Sequence, residues 1–292
     1  MERPHKLLFL CGGAASPDYS KPSSLRQLLI PPARPAAHFR GYDLLLAENA
    51  ANAFANSSFS NLLEHEEAIC AIADGIILIV ESPGSLCELG AFVKIENIRP
   101  KLLIIMQGKF LDGASFVTKG AIKYYEECTG RQPLGYEWQI NDGVVHCEDN
   151  VIDLIINDIL EEMNDIKRPL SSKFDESNEE HLIYLTLSIC FLLRAPLIGE
   201  IEEAANLMNV RLTQSKVKKI LEVLTFSKLL RTHHQGKQKF YVATTARPNV
   251  KLGFKDSSAG KLSWSRIAEG VRSEFETHDK HRLEIFKKYN EY

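Results

Sequence analysis

The chain has 292 residues, 45% hydrophobic and 25% charged, with a net charge of −3; that length suits two domains, that composition suits globular folding, and the charge gives no global pointer to nucleic acid. No apolar run reaches the roughly 20 residues a membrane helix needs, and the apolar stretch near the N-terminus is too short for a signal peptide. The six cysteines (Cys11, Cys70, Cys87, Cys128, Cys147 and Cys190) have neither C-x-x-C nor zinc spacing, so cytoplasmic thiols and no metal are expected.

The first half alternates strands and helices. Continuous apolar runs at 6–11 (KLLFLC), 42–48 (YDLLLAE), 75–81 (GIILIVE) and 101–107 (KLLIIMQ) read as strands covered on both faces. Helical spacing separates them: 23–30 is stopped by Pro31-Pro32, 59–73 repeats apolar residues at three and four, and 85–95 carries Leu86, Leu89, Phe92 and Val93 on one stripe. Alternation of this kind predicts a parallel α/β sheet of Rossmann-like or flavodoxin-like type. A fifth strand is expected at 143–147. A helix over 150–166 is expected to pack Val151, Leu154, Ile155 and Ile159 on the sheet.

From Glu148 to Glu180 there are eleven acidic and three basic residues, and 167–180 has no apolar face, so it reads as a linker. Helical patterns follow at 180–193, 196–209 and 213–230, then a hairpin through LLRTHH, QGK and KFYVAT. Three helices and a two-stranded wing are the order of a winged helix-turn-helix. The expected division is 1–166, a linker at 167–180, a winged helix at 181–250 and a C-terminal helical tail at 251–292. Arg211 to Phe240 holds eight Lys/Arg and one acid. With Val217, Ile220, Leu221 and Leu224 facing the core, Lys216, Lys218 and Lys219 should point outward, and Arg231, Lys237 and Lys239 should sit near the wing tip. Such a surface suits phosphate contacts; the plainer reading is a solvated basic face.

In an open parallel sheet, ligands bind beyond the carboxyl ends of the strands, where strand order reverses. Cys11, Gly12, Gly13, Glu48, Glu81, Ser82, Gly84 and Ser85 should share that rim, with Glu88 one turn into the departing helix. Glycines let backbone amides approach a ligand, and a helix start at Ser85 would offer N–H groups to phosphate. Ser85-Leu86-Cys87-Glu88 is also S-x-x-E, a capping box in which Glu88 does no chemistry. Asp74 lies at the far end of its strand and is excluded. His65, within EHEE, reads as part of a wet helix face.

The stretch ADGIILIVESPGSLCELGAF (73–92) resembles the nucleoside 2-deoxyribosyltransferase superfamily. Still closer is the likeness to the deoxyribosyltransferase-like effectors of bacterial retron defence systems, carried by FLCGG (9–13) and by Glu81 to Phe92. The aspartate-rich segment of the transferases is absent before the turn. The resemblance implies that Glu88 is the catalytic nucleophile of an N-glycosidase, with Cys11, Gly12, Gly13, Glu48, Glu81, Ser82, Gly84 and Ser85 binding substrate. It implies NAD or a related nucleotide as substrate, no cofactor, and a toxin held with a reverse transcriptase and its multicopy DNA–RNA hybrid, in a homo-oligomer or higher assembly. Nicotinamide leaves NAD without needing a proton, which favours a dinucleotide over an ordinary purine nucleoside. The alternative is a nucleotide-sensing domain that regulates a DNA-binding winged helix, as in a transcription regulator.

Overall fold

The computed structural model describes residues 6–34, 36–39, 41–166, 173–244 and 264–289. The chain forms two compact units: one of Pro4–Asn52 with Leu62–Ser172, the other of Ala53–Asn61 with Lys173–Tyr292. The linker residues 167–172 and the stretch 245–263, which the sequence division assigns to the end of the winged helix and the start of the tail, lie outside the described residues.

In the first unit the chain runs β1 (Lys6–Cys11), α1 (Leu25–Leu28), β2 (Tyr42–Leu46), α2 (Ala47–Phe54), α3 (Leu62–Ile72), β3 (Gly75–Val80), α4 (Pro83–Phe92) and β4 (Leu102–Gln107). A π-helix (Val117–Ile122) leads into α5 (Lys123–Thr129), followed by β5 (Leu134–Tyr136), the hairpin β6 (Gln139–Asn141) and β7 (Val144–His146), and α6 (Asp149–Asp165). Five parallel strands lie in the order β2-β1-β3-β4-β5, so strand order reverses between β1 and β3. The fifth strand is Leu134–Tyr136. The expected strand at 143–147 instead pairs antiparallel with β6, outside the main sheet.

Continuous apolar strands are explained by burial on both faces. Leu8, Leu10, Ile77, Ile79, Leu103 and Ile105 pack with Ile152, Ile155, Ile156, Ile159 and Met163 of α6. Alternate residues Leu7, Phe9, Ile76, Leu78 and Ile104 are buried as well. Each such side chain contributes roughly 1.5–3 kcal/mol, and an alternating strand would forfeit half of that. The helix at 150–166 forms as expected, except that Leu154 faces solvent. At Gly75 an added Cβ would meet Met163 Sδ at 2.1 Å, so a side chain there would have to displace Met163.

The second unit runs α7 (Glu179–Leu192), α8 (Ile198–Leu207), α9 (Gln214–Phe226), β8 (Leu230–Gln235) and β9 (Gln238–Ala243), and ends in α10 (Trp264–His278) and α11 (Lys280–Tyr289). Asn178 caps α7 and Thr213 caps α9 by accepting from backbone N–H groups. Val217, Ile220, Leu221 and Leu224 are buried as their spacing predicts. The β8–β9 turn places Gly236 at φ +56, a left-handed conformation that glycine adopts without strain. The sequence pattern points to a single helix in the tail; α11 is a second. It lies on β9 and the start of α8, where Ile285 and Phe286 join Ala195, Phe240 and Val242, and Arg282 bonds both oxygens of Glu200 at 2.9 Å.

Candidate active site

Helix α4 begins earlier than the S-x-x-E pattern suggests. Ser82 is its N-cap and Pro83 its first residue, where a fixed φ and a missing N–H cost nothing. The capping box is Ser82 with Ser85: Ser85 N–H donates to Ser82 Oγ at 3.1 Å, and Ser82 N–H donates to Ser85 Oγ at 2.9 Å. Both hydroxyls are thus engaged within the chain. Glu88 is left out of the cap and stands two turns into the helix, beyond the reach of the terminal dipole.

The surroundings of Glu88 are those of a reactive group. Its Oε2 is buried and has no hydrogen-bond partner among the described residues. Burial raises its pKa above the ordinary carboxylate value, and the charge of Arg26 opposes that rise. The charge that favours its ionised form is that of Arg26. This arginine is 2% exposed. Its Nε donates to Gly13 O at 2.9 Å, its Nη2 is paired with Glu48, and its Nη1 is buried without a partner. Glu48 lies in the first turn of α2, not at a strand end, because β2 stops at Leu46.

The second carboxyl is Glu66. His65 and Glu66 are buried at 1% and 5% exposure, so the EHEE segment is no wet face. Burial first, and the charge of Glu88 second, push Glu66 up to about 8. Near neutral pH Glu66 thus holds a proton, and the charge of Arg26 limits the rise at Glu88. The same burial keeps the fully buried thiols of Cys11 and Cys70 protonated, Cys11 also feeling Glu88. Cys11 lies at the end of β1 with its side chain enclosed.

The remaining rim residues serve the loop. Glu81 accepts from the backbone N–H groups of Gly13 at 3.0 Å, Leu25 at 2.6 Å and Arg26 at 3.2 Å. Its pKa is raised by burial and lowered by these bonds. Gly12 and Gly13 are glycines because Cβ atoms would press on Glu81 at 3.1–3.2 Å and, from Gly13, on Ser24 at 2.9 Å. Close approach here is to the protein's own carboxylate. At Gly84 an added Cβ would meet only Ser82 Oγ, at 3.8 Å. Asp74 accepts from Leu7 N–H at 2.8 Å, at the opposite end of the sheet. Sequence reasoning missed Glu66 and Arg26. Arg26 follows the capping Ser24 inside an apolar run, and Glu66 falls on the apolar stripe of α3, where a charge needs a reason.

A cavity of about 490 Å³ lies on the other side of α4. It is lined by Val80, Leu86, Met106, Phe110, Val117, Trp138 and Ile140, with Glu81, Ser82, Gln107, Lys109 and Ser115 among its polar margin. Glu88 is not part of its wall.

In the second unit Lys218, Arg231, Lys237 and Lys239 are exposed. Lys216 and Lys219 are not the free outward lysines that α9 spacing suggests. Lys216 is paired with Glu179, and Lys219 sits 5.3 Å from the centre of the Phe59 ring. Phe59 belongs to the strap Ala53–Asn61, whose Ser58 also donates through N and Oγ to Glu222 of α9, both at 2.8 Å.

The family model described as STM3845 retron effector protein matches residues 22–232. Two Escherichia coli proteins are similar in sequence. "Retron Ec86 putative ribosyltransferase/DNA-binding protein" is 34% identical over 128 residues, 44% of this chain and 39% of that protein. "Retron Ec73 putative ribosyltransferase/DNA-binding protein" is 31% identical over 146 residues, 49% of this chain and 45% of that one. Each match thus spans less than half the length of the curated relative.

Proposed function

This chain belongs to the STM3845 retron effector family, and we propose that it is a glycosyl-transferring enzyme of nucleoside deoxyribosyltransferase-like type, an N-glycosidase acting on NAD or a related nucleotide. The observation that carries this reading is the buried Glu66 and the half-buried Glu88 beside the β1/β3 reversal, one carboxyl held protonated to about 8 and the other with a buried, unpartnered oxygen. A carboxyl held protonated beside one whose rise is opposed by a neighbouring cation suits a division into acid and nucleophile roles. The two curated relatives bear ribosyltransferase names, which agrees with it.

The chemistry follows from those two states. Carboxylate oxygen of Glu88 closes on C1′ of the ribose as the C1′–N bond breaks, and the bond's electron pair leaves with the base. Nicotinamide departs neutral from its cationic form and takes no proton. A neutral purine would need one, and Glu66 is the carboxyl that carries it. Water then adds to C1′, the Glu88 bond to C1′ breaks, and the water's proton is lost; a second acceptor in place of water gives transfer. The charge of Arg26 favours the ionised form of Glu88 in a site whose burial opposes it.

For the second unit we propose a winged helix-turn-helix that meets nucleic acid through Lys218, Arg231, Lys237 and Lys239. Its partner in this reading is the retron's DNA–RNA hybrid with its reverse transcriptase. Incubation of the purified protein, alone and with the reverse transcriptase and hybrid, with NAD tests the enzyme assignment. Release of nicotinamide that Glu88→Gln abolishes is expected. Intact NAD in both settings would overturn it.

A further inference from the structure

The cavity beside α4 has no role in the chemistry above. Its walls come from the carboxyl ends of β3 and β4, the first turns of α4, the π-helix segment and the β6 strand. Leu86 and Glu88 are two residues apart on α4, about 200° around the helix axis. Leu86 therefore enters the cavity wall while Glu88 stays outside it. The volume falls within the range of small-molecule sites, roughly 300–1,000 Å³. A π-helix beside the cavity is itself uncommon, and such segments recur at functional sites.

The lining has a defined chemical character in three parts. Trp138, Phe110, Met106 and Val80 make most of it apolar. Leu86, Phe110 and Ile140 are exposed, so a ring laid over them takes apolar surface out of water. The second part is Gln107, a wall residue only 7% exposed. Its Nε2 donates to the Trp138 carbonyl at 2.8 Å, which fixes the orientation of the amide, and its Oε1 accepts no hydrogen bond among the described residues. A buried amide oxygen is costly to leave unpaired, so an N–H on a bound molecule is favoured there. The third part is charge. Lys109 and Glu81 are the charged residues of the lining. Glu81 is taken up by the N–H groups of Gly13, Leu25 and Arg26. The exposed ammonium of Lys109, 5.0 Å from the Phe110 ring centre, has no carboxylate partner among the described residues and suits an anionic group.

We infer that this cavity is a second ligand site, built for a small aromatic anion that carries an N–H donor. The rings lie against Trp138 and Phe110, the N–H meets Gln107 Oε1, and the anion meets Lys109. The site is separate from the carboxyls of Glu66 and Glu88 and stands whether or not they cleave a glycosidic bond.

The dye 1-anilinonaphthalene-8-sulfonate has all three parts. N-phenyl-1-naphthylamine keeps the rings and the N–H but lacks the sulfonate, and 1-phenoxynaphthalene has an ether oxygen in place of the N–H as well. The sequence has two tryptophans, so a Trp264→Phe background isolates Trp138 emission. In the full chain the dye should bind at one saturable site and quench Trp138 by energy transfer, and equilibrium dialysis gives the three affinities. Lys109→Met should weaken the sulfonate by about fivefold or more and leave the neutral amine within about twofold. The amine should bind about threefold or more tightly than the ether, because only the amine can donate to Gln107. Leu86→Glu, a charge set on the exposed apolar wall, should weaken all three by about tenfold or more. Leu86 and Lys109 are both exposed, so these substitutions spare the core. Absence of saturable binding, or binding indifferent to Leu86→Glu, would overturn the site. Equal loss of sulfonate and amine in Lys109→Met, or equal affinity of amine and ether, would overturn the ligand class.

Discussion

Glu66 on α3 and Glu88 on α4 are electrostatically coupled, and the charge of Glu88 is one of the two causes that hold Glu66 protonated to about 8. Neutralising Glu88 removes one of the causes that raise Glu66, so a substitution at Glu88 also reports on Glu66.

Glu88→Gln keeps the side-chain volume and removes the charge. Nicotinamide release should fall by about 10³-fold or more, since a neutral amide neither traps nor stabilises a cationic C1′. Because Glu88 makes no capping bond, far-UV circular dichroism and the melting curve should stay close to those of the parent. A folded Glu88→Gln protein with full turnover would show that the nucleophile lies elsewhere.

With a purine nucleotide as substrate, activity should be bell-shaped in pH; with NAD, whose nicotinamide takes no proton, only the acid limb is expected. The acid limb follows ionisation of Glu88, above the ordinary carboxylate range, and the alkaline limb follows loss of the Glu66 proton near 8. With a purine nucleotide as substrate, Glu66→Gln should flatten the alkaline limb and reduce turnover by roughly 10²-fold. With NAD the loss should be smaller, because nicotinamide leaves without a proton. Equal losses on both substrates would remove Glu66 from proton donation.

The same substitution has a stability signature of predictable sign. Between the ordinary glutamate value of 4.5 and about 8, Glu66 is ionised in the unfolded chain and protonated in the folded one. Stability therefore declines as pH rises through that window, and the penalty is complete above 8. Glu66→Gln, which cannot ionise, should raise the melting temperature at pH 8.5 and do so little at pH 4. A gain of ~1–3 kcal/mol is expected, read by differential scanning fluorimetry at several pH values.

Arg26→Met should move the acid limb upward, because it removes the charge that opposes the burial shift of Glu88. It also strands Glu48 and the Gly13 carbonyl, at a cost of about 3–5 kcal/mol. A pH–rate profile measured well below the melting temperature separates the two effects. An unshifted limb would mean that the guanidinium does not act on Glu88.

On the second unit, Lys218, Arg231 and Lys237 are the cations to reverse. Their triple replacement by Glu should weaken binding to the retron's DNA–RNA hybrid and lower the slope of log K against log salt by about 2–3. Anisotropy titrations at several salt concentrations measure both. Lys216 and Lys219 make poorer probes, since Glu179 and Phe59 already occupy them.

The sheet was legible because its strands are buried on both faces, so apolar runs mark them without ambiguity; all four long strands lie within the expected spans. The fifth escaped because three residues, Leu134–Tyr136, are too few to leave a pattern. At the site, the loop glycines and Glu81 stand out in sequence as ligand groups, whereas in the structure they hold the loop together. Pro83 marked the true start of α4, but the S-x-x-E spacing competed with it. Glu66 was hidden by its neighbours: a run of charges at a helix centre looks solvated until the sheet behind it is known. Lys219 was misplaced for a similar reason, as no local pattern reveals that Phe59, 160 positions earlier, packs against it.

The strap Ala53–Asn61 has a practical meaning for anyone dissecting this protein. Its partners, Glu222 and Lys219, lie far downstream of α3 and α4 in the sequence. A gene cut at the acidic stretch after residue 166 would thus separate the strap from the helix it is built to grip. Such a fragment would expose Phe59 and leave Ser58 without its carboxylate. The two halves of this chain are therefore not modules that can be exchanged by joining ends. A transplant of the C-terminal half must carry the strap with it to keep the Ser58–Glu222 bonds and the Lys219–Phe59 contact.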